Sequence, residues 1–352
     1  MTAQGNKKKS PVIWFGLGFV AVVLATLIAN WQSSLVRELH FPLNNGVAGL
    51  FTYSHFLAAV SQDDQIYIWN WSDLKDKPDV SAVKADQAVL VAPNTVLSAR
   101  RAHTETIFVS ELGNDKNYKS IAMNGASSHT WLGSNRDKST VVAVTERGDD
   151  SNSEQVVYEL RRVNWQNLRS EQITQITTNK TSRLLNVAVS DDGKYVLLTG
   201  QKAKTGWMVL VDIISNVVMW DKQAADFERF GIAVFLPDGK FIYARTSDST
   251  LYKIDTGSGG IIDRWPASKT NGSVLGDTSV QDVGVSPDGR TVASIVASDL
   301  CMWDSRTGKQ IFRRTPEHKI ESGLAFSPDG RFVATSDMRQ GGTIKIWRVP
   351  AH

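Results

Sequence analysis

Residues 317–349 read EHKIESGLAFSPDGRFVATSDMRQGGTIKIWRV. Three short runs in this stretch, 323–326, 332–336 and 343–347, alternate apolar residues with polar or small ones. Period-two alternation over so few residues predicts half-buried strands rather than helices. Pro328-Asp329-Gly330 joins the first two runs. Proline sets φ for the turn, aspartate bonds to the nearby backbone, and glycine takes the φ > 0 position without steric cost.

The same unit recurs upstream. Asp-Gly turns fall in Ser190-Asp191-Asp192-Gly193, Leu236-Pro237-Asp238-Gly239, Ser286-Pro287-Asp288-Gly289 and Ser327-Pro328-Asp329-Gly330, with the glycines 46, 50 and 41 residues apart. A strand-only repeat of about 40–50 residues is the mark of a propeller blade. Apolar runs at 195–199, 241–245, 291–296 and 332–336 follow the turns as second strands. Third strands are predicted at 207–213, 250–254, 299–303 and 343–347, and fourth strands at 216–220, 260–265 and 310–314. The earlier chain keeps this rhythm less regularly, with units over 49–85, 87–123 and 129–177. That makes seven units, the last without an outer strand. Residues 35–41, LVRELHF, have strand-like content and are expected to pair beside 343–347, closing the ring and removing an open sheet edge.

These units resemble the WD-repeat family of β-propellers. Cys301-Met302-Trp303-Asp304-Ser305-Arg306-Thr307-Gly308-Lys309 and Thr343-Ile344-Lys345-Ile346-Trp347 match its third strand and following turn, and Tyr67-Ile68-Trp69-Asn70 is a weaker match. His129 and His318 are rough stand-ins for the family's Gly-His pair; Asp63 sits at its turn aspartate, which Gly341 replaces in the last unit. The resemblance spans residues 46–350 and is strongest in the final third. It implies an all-β, seven-bladed propeller whose strands run from a central channel outward. Outer strands then lead to the next inner strand on a top face, and the Asp-Gly hairpins lie on a bottom face.

A different signal precedes the repeats. Residues 12–29 carry no charge, within a charge-free interval that runs from Lys9 to Arg37. That is the length needed to cross hydrocarbon. Trp14 and Trp31 lie near its ends, where amphipathic rings favour the headgroup level, and Lys7, Lys8 and Lys9 precede it. The expected layout is a basic cytoplasmic tail at 1–11, a transmembrane helix at 12–31, a linker and closing outer strand at 32–45, and the propeller at 46–350. The positive-inside rule puts the N-terminus in the cytoplasm and the propeller outside it. A cleaved signal peptide is the competing reading, but the apolar run is long for one and Leu27-Ile28-Ala29 is a poor cleavage site. If 35–41 is an outermost strand, the chain enters it from the bottom face. Gln32, Ser33 and Ser34 then span only ~10 Å, so the bottom face lies against the bilayer. Lys194, Lys240, Arg290 and Arg331, just after the Asp-Gly turns, would face lipid phosphates or simply water.

Composition excludes several functions. Lys+Arg totals 39 against 36 Asp+Glu, and without the tail's three lysines the two are equal. A neutral body argues against nucleic-acid binding. The single Cys301 sits in an apolar strand and reads as a buried small hydrophobe. The six histidines have no metal-ligand spacing, no nucleophile motif is present, and the Gly257–Gly260 run has no helix after it to cradle phosphate. Residues 146–154, ERGDDSNSE, read as a hairpin excursion in preference to a calcium loop. No catalytic residue, cofactor or metal site is therefore assigned. Arginines ending the second strands offer a top-face interaction surface: Arg100, Arg101, Arg147 and Arg245, with Lys202 and with Arg339 in the last blade's loop.

The sequence thus describes a membrane-anchored, non-catalytic platform for other protein subunits, including integral membrane proteins, that contacts the bilayer through 12–31. The Ser-Pro-Asp-Gly-Arg turns resemble bacterial members of the family, which implies a periplasmic propeller. The rival readings are a quinoprotein-like or lactonase-like extracytoplasmic enzyme, an envelope-assembly factor, and a cytosolic scaffold.

Overall fold

The computed structural model describes residues 34–351 apart from 41–46, 54, 62–64, 75–77, 82–84, 86, 93–94, 100–104, 112–117, 124–128, 150–151, 180–181, 203–204, 229, 247–249, 267–281, 297–298, 315–321 and 337–341. The expected membrane segment, with Trp14, Trp31 and the three lysines, lies outside the described residues. Among those described, no helix is long and apolar enough to cross a membrane.

Strand β1 (Leu35–His40) comes first. Blade one is β2–β5 (Val47–Tyr53, Phe56–Ser61, Ile66–Asn70, Asp79–Ser81), and blade two is β6–β9 (Gln87–Ala92, Thr95–Ala99, Thr106–Glu111, Tyr118–Ala122). Blade three is β10–β13 (His129–Ser134, Val141–Asp149, Asn152–Asn164, Arg169–Asn179), and blade four is β14–β17 (Ser182–Val189, Tyr195–Lys202, Thr205–Asp212, Val217–Glu228). Blade five is β18–β21 (Phe230–Phe235, Phe241–Thr246, Thr250–Asp255, Ile261–Pro266), and blade six is β22–β25 (Val283–Val285, Thr291–Val296, Asp299–Asp304, Gln310–Arg314). Blade seven is β26–β28 (Ser322–Phe326, Phe332–Ser336, Thr343–Arg348) with β1 as its outer strand, so the seven sheets each hold four antiparallel strands. Leu35 pairs with Trp347 and His40 with Thr343, which places β1 where residues 35–41 were expected.

The core lies between blades. Strand side chains alternate faces, so each sheet buries one set against the preceding blade and the other against the next. In blade three, Val142, Val144, Tyr158 and Leu160 pack on Leu184, Val187 and Val209 of blade four, while Val141, Ala143 and Val163 pack on blade two. Polar ties fix the angle between sheets. The Tyr158 hydroxyl donates to the Ser182 carbonyl at 3.1 Å and accepts from the Leu184 amide at 3.1 Å. Trp220 Nε1 donates to the Thr256 carbonyl at 2.8 Å, and the Tyr243 hydroxyl to the Ser305 carbonyl at 2.8 Å.

The bottom hairpins repeat one hydrogen-bond device. In blade seven Ser327 Oγ donates to Asp329 Oδ1 at 2.7 Å, which also accepts from the Arg331 amide at 3.0 Å; Ser286 with Asp288 and Ser190 with Asp192 do the same. Gly193, Gly239, Gly289 and Gly330 hold φ between 68° and 72° at the turn's last position. Blade three has the same turn as Asn135-Arg136-Asp137-Lys138, with Lys138 at φ 62°. Sequence reading missed this turn because the glycine marker is gone.

Two outcomes follow from this geometry. Lys138→Gly removes a left-handed side chain and is expected to raise stability by about 1 kcal/mol, read from urea denaturation. Leu39 is fully buried and paired with Ile344, so Leu39→Pro breaks the ring's closing ladder and empties a core site. Its expected loss exceeds about 3 kcal/mol in the same measurement.

Candidate functional site

The propeller offers three places for function: the central channel, the top rim and the bottom rim. Inner strands of six blades line a channel cavity of about 640 Å³, including Phe51, Thr52, Asn186, Val187, Phe235, Val285 and Phe326. Arg136 partly bridges its lower mouth. Its Nη1 donates to the Pro287 carbonyl of blade six at 2.7 Å, and its Nε lies 3.4 Å from Asp191 Oδ2. Lys138 Nζ donates to Ser134 Oγ at 2.8 Å, and burial lowers this ammonium's pKa to about 8. These charges sit in opposed pairs, so the mouth presents neither a clear anion nor a clear cation site. Among the described residues no group of three or more His, Cys, Asp or Glu is placed to hold a metal ion.

Of the top-rim candidates, the structure describes the side chains of Arg147 and Arg245. Arg100, Arg101 and Arg339 lie outside the described residues, and Lys202 ends β15 in register with Ser182 and Thr205. Arg147 points into blade three, where its Nη2 lies 3.2 Å from Glu159 Oε2. Glu159 is buried, and Arg161 Nη1 and Gln175 Nε2 also donate to it. Arg161 is fixed in turn by Ser170, whose hydroxyl Nε reaches at 3.0 Å. Arg147, about a third exposed, therefore shares with Arg161 the neutralisation of a buried carboxylate near the end of β11.

Arg245 corrects the surface expectation more fully. It is 8% exposed, on the same face of β19 as the fully buried Tyr243. That face packs into blade six, and the Arg245 charge, close enough to act on the Asp282 carboxyl, lies on the blade interface. Asp282 was not singled out from the sequence. Its Oδ2 accepts from the Leu324 amide at 2.8 Å and its Oδ1 from the Val283 amide at 2.9 Å, tying blade six to blade seven beside the channel. Burial raises this carboxyl to about 6, against the downward pull of the two amides and Arg245. The period-two pairing of Tyr243 with Arg245 was the available signal that Arg245 turns inward.

Cys301 is fully buried and burial pushes its thiol up to about 12, as expected of a packing residue rather than a nucleophile. Of residues 146–154, 146–149 end β11 and 152–154 begin β12, which pairs with it, as the hairpin reading expected. The Gly257–Gly260 run is a turn in which Gly259, at φ 67°, lies against the Trp220 ring with no room for a Cβ.

The WD40 family model (WD domain, G-beta repeat) matches residues 310–348. No curated protein matches the chain. Among solved structures, the β-propeller domain of Myceliophteria thermophila Cps50 (Swd1) superposes with a TM-score of 0.60 at 13% identity, over 90% of this chain and 99% of that one. In all, 1591 solved chains match, a breadth that ties the likeness to architecture and not to one activity. The chain carries a WD40 repeat and is a seven-bladed β-propeller.

Asp282 gives a signed pH effect. Its folded pKa is raised, so its contribution to stability is full below the unfolded carboxylate value and is lost as pH rises through about 6. Between pH 7 and pH 4.5 the wild type is expected to gain about 2 kcal/mol relative to Asp282→Asn, measured by urea denaturation at both pH values.

Proposed function

We propose that the chain is a membrane-tethered docking platform for other proteins, with no catalytic step of its own. The observation that carries this reading is where the chain enters the propeller. β1 is the outer strand of blade seven and begins at the lower end of the blade, opposite Trp347. Three residues, Gln32, Ser33 and Ser34, separate the charge-free stretch 12–31 from Leu35. A membrane span there holds the bottom face near the bilayer and leaves the top face for partners.

A rigid disc suits this role, because loops on a fixed scaffold are where binding residues concentrate. The acidic groups best placed for chemistry support the same reading. Glu159 is held by Arg147, Arg161 and Gln175, and Asp282 by two amides, so each has a structural task. The partners are other subunits, integral membrane proteins among them. The tail is cytoplasmic and the propeller lies across the membrane, in the periplasm of a bacterial cell.

Two measurements test this. In sealed membranes with the full chain, protease added from the propeller side is expected to remove residues 34–352 while sparing the span; full protection overturns the orientation. Capture of the full chain in mild detergent is expected to bring down a stoichiometric protein partner. Lys202→Glu combined with Arg339→Glu is expected to weaken that capture about tenfold, the effect of losing roughly 1.4 kcal/mol of rim contacts. A chain that runs alone, or a variant that captures equally well, overturns the top-face platform.

A further inference from the structure

The outer strands carry a repeated irregularity. In blades three to seven one residue of the outer strand is left over opposite the lower part of the third strand: Ile173, Met219, Ile262, Ile311 and Val36. All five are apolar. A β-bulge re-aims the side chain it releases. Ile173 is buried and Ile311 half-buried, but Val36, Met219 and Ile262 are 44, 45 and 54% exposed.

These three belong to a wider set. Among the described residues, eight large hydrophobic side chains are exposed, and all lie on outer strands or the turns that lead into them. All but Val80 sit at the lower end. Ile214, at 69%, is in the turn before β17; residues 217–219 begin that strand; Tyr118 begins β9 opposite Ser110. Outer strands are the least covered part of any blade, so exposure alone is unsurprising. Its confinement to one height on blades two, four, five and seven is what calls for a cause. Side chains spread around a disc at one level are matched by a plane, whereas a compact partner would reach only an arc of them.

We propose that the lower rim of the propeller docks on a phospholipid surface, with this apolar girdle at the level of the headgroups. The orientation rests on the tether proposed above, which ends at the same face. The exposed bulge residues lie one or two residues above the first residue of their strands, roughly 3–7 Å by strand rise. Interfacial elements settle about 5–10 Å into the headgroup region, which covers both the turn at Ile214 and the bulges. The neighbouring hairpins bring little net charge. Arg331 Nε pairs with Asp329 Oδ2 at 2.6 Å and Arg290 lies 3.9 Å from Asp288, within the same turns. The contact is therefore apolar in origin and insensitive to salt, and zwitterionic lipid suffices.

The test uses the full chain in phosphatidylcholine vesicles, with a bimane label on Met219→Cys, Ile262→Cys or Ile214→Cys and on Glu105→Cys as an exposed position at the opposite end of a blade. The native thiol at Cys301 is buried and stays unlabelled. Lipid brominated high on the acyl chain is expected to quench the three lower labels and not the one at 105, equally at low and high salt. Three variants at separate positions guard against one failing to fold. Lower labels that stay unquenched by lipid and open to aqueous iodide, in a chain that resists carbonate extraction, overturn the docking surface and leave the tether intact. Shielding that appears only in native membranes, or rises with protein density in the vesicle, overturns it in favour of a protein partner or a second copy. Quenched labels on a chain that carbonate extracts would overturn the tether and uphold the surface; a chain that does not float with vesicles overturns both.

Discussion

The pairing of β1 with β28 is the constraint on which the propeller depends. Among the described strands, six blades are each made from consecutive strands, and blade seven joins the first strand to the last. Without β1, β28 presents a free edge of backbone donors and acceptors, which other chains can extend. Closing so long a chain costs roughly 5 kcal/mol in entropy by the logarithmic scaling of loop closure. The closing ladder offsets this with the fully buried Leu39 in the cluster that joins blades seven and one, and with Glu38 at 3.3 Å from Lys345 Nζ. Closure also gives blade one a neighbour on each side, so every sheet has both faces covered.

Once the ring is shut, polar groups trapped between blades must find partners there, because a buried group without one costs more than a hydrogen bond returns. Glu159, Arg161 and Arg147 answer this requirement in blade three, and Asp282 answers it between blades six and seven. These residues look like chemistry in a list of charged side chains. In place they are fastenings: the Glu159 network ties the strands of blade three together, and Asp282 ties blade six to blade seven.

The two faces of the disc differ in construction. In blades three to seven the bottom turns are short, each knotted by an aspartate that accepts a backbone amide, and outer strands above them are bulged at apolar residues, exposed at Val36, Met219 and Ile262. Most of the top-face connections fall outside the described residues. A face of fixed turns with an apolar girdle suits a flat, chemically uniform surface. A face of longer loops suits partners with shapes of their own.

Sequence alone determined the strand period, the turn positions in blades four to seven, the blade number and the closing role of residues 35–41. These are local signals: alternation, Asp-Gly chemistry and a repeat length do not depend on distant contacts. Blade three's turn escaped because Lys138 occupies a conformation that normally announces itself as glycine. Tertiary structure decided where side chains point. Arg147 and Arg245 read as rim charges because they lie near strand ends, yet Arg147 pairs along its own sheet with the buried Glu159 and Arg245 is buried on the face that packs on blade six. Part of the apolar girdle was invisible for the same reason: at Val36, Met219 and Ile262 a bulge shifts pairing by one residue, and only the register between two strands reveals it.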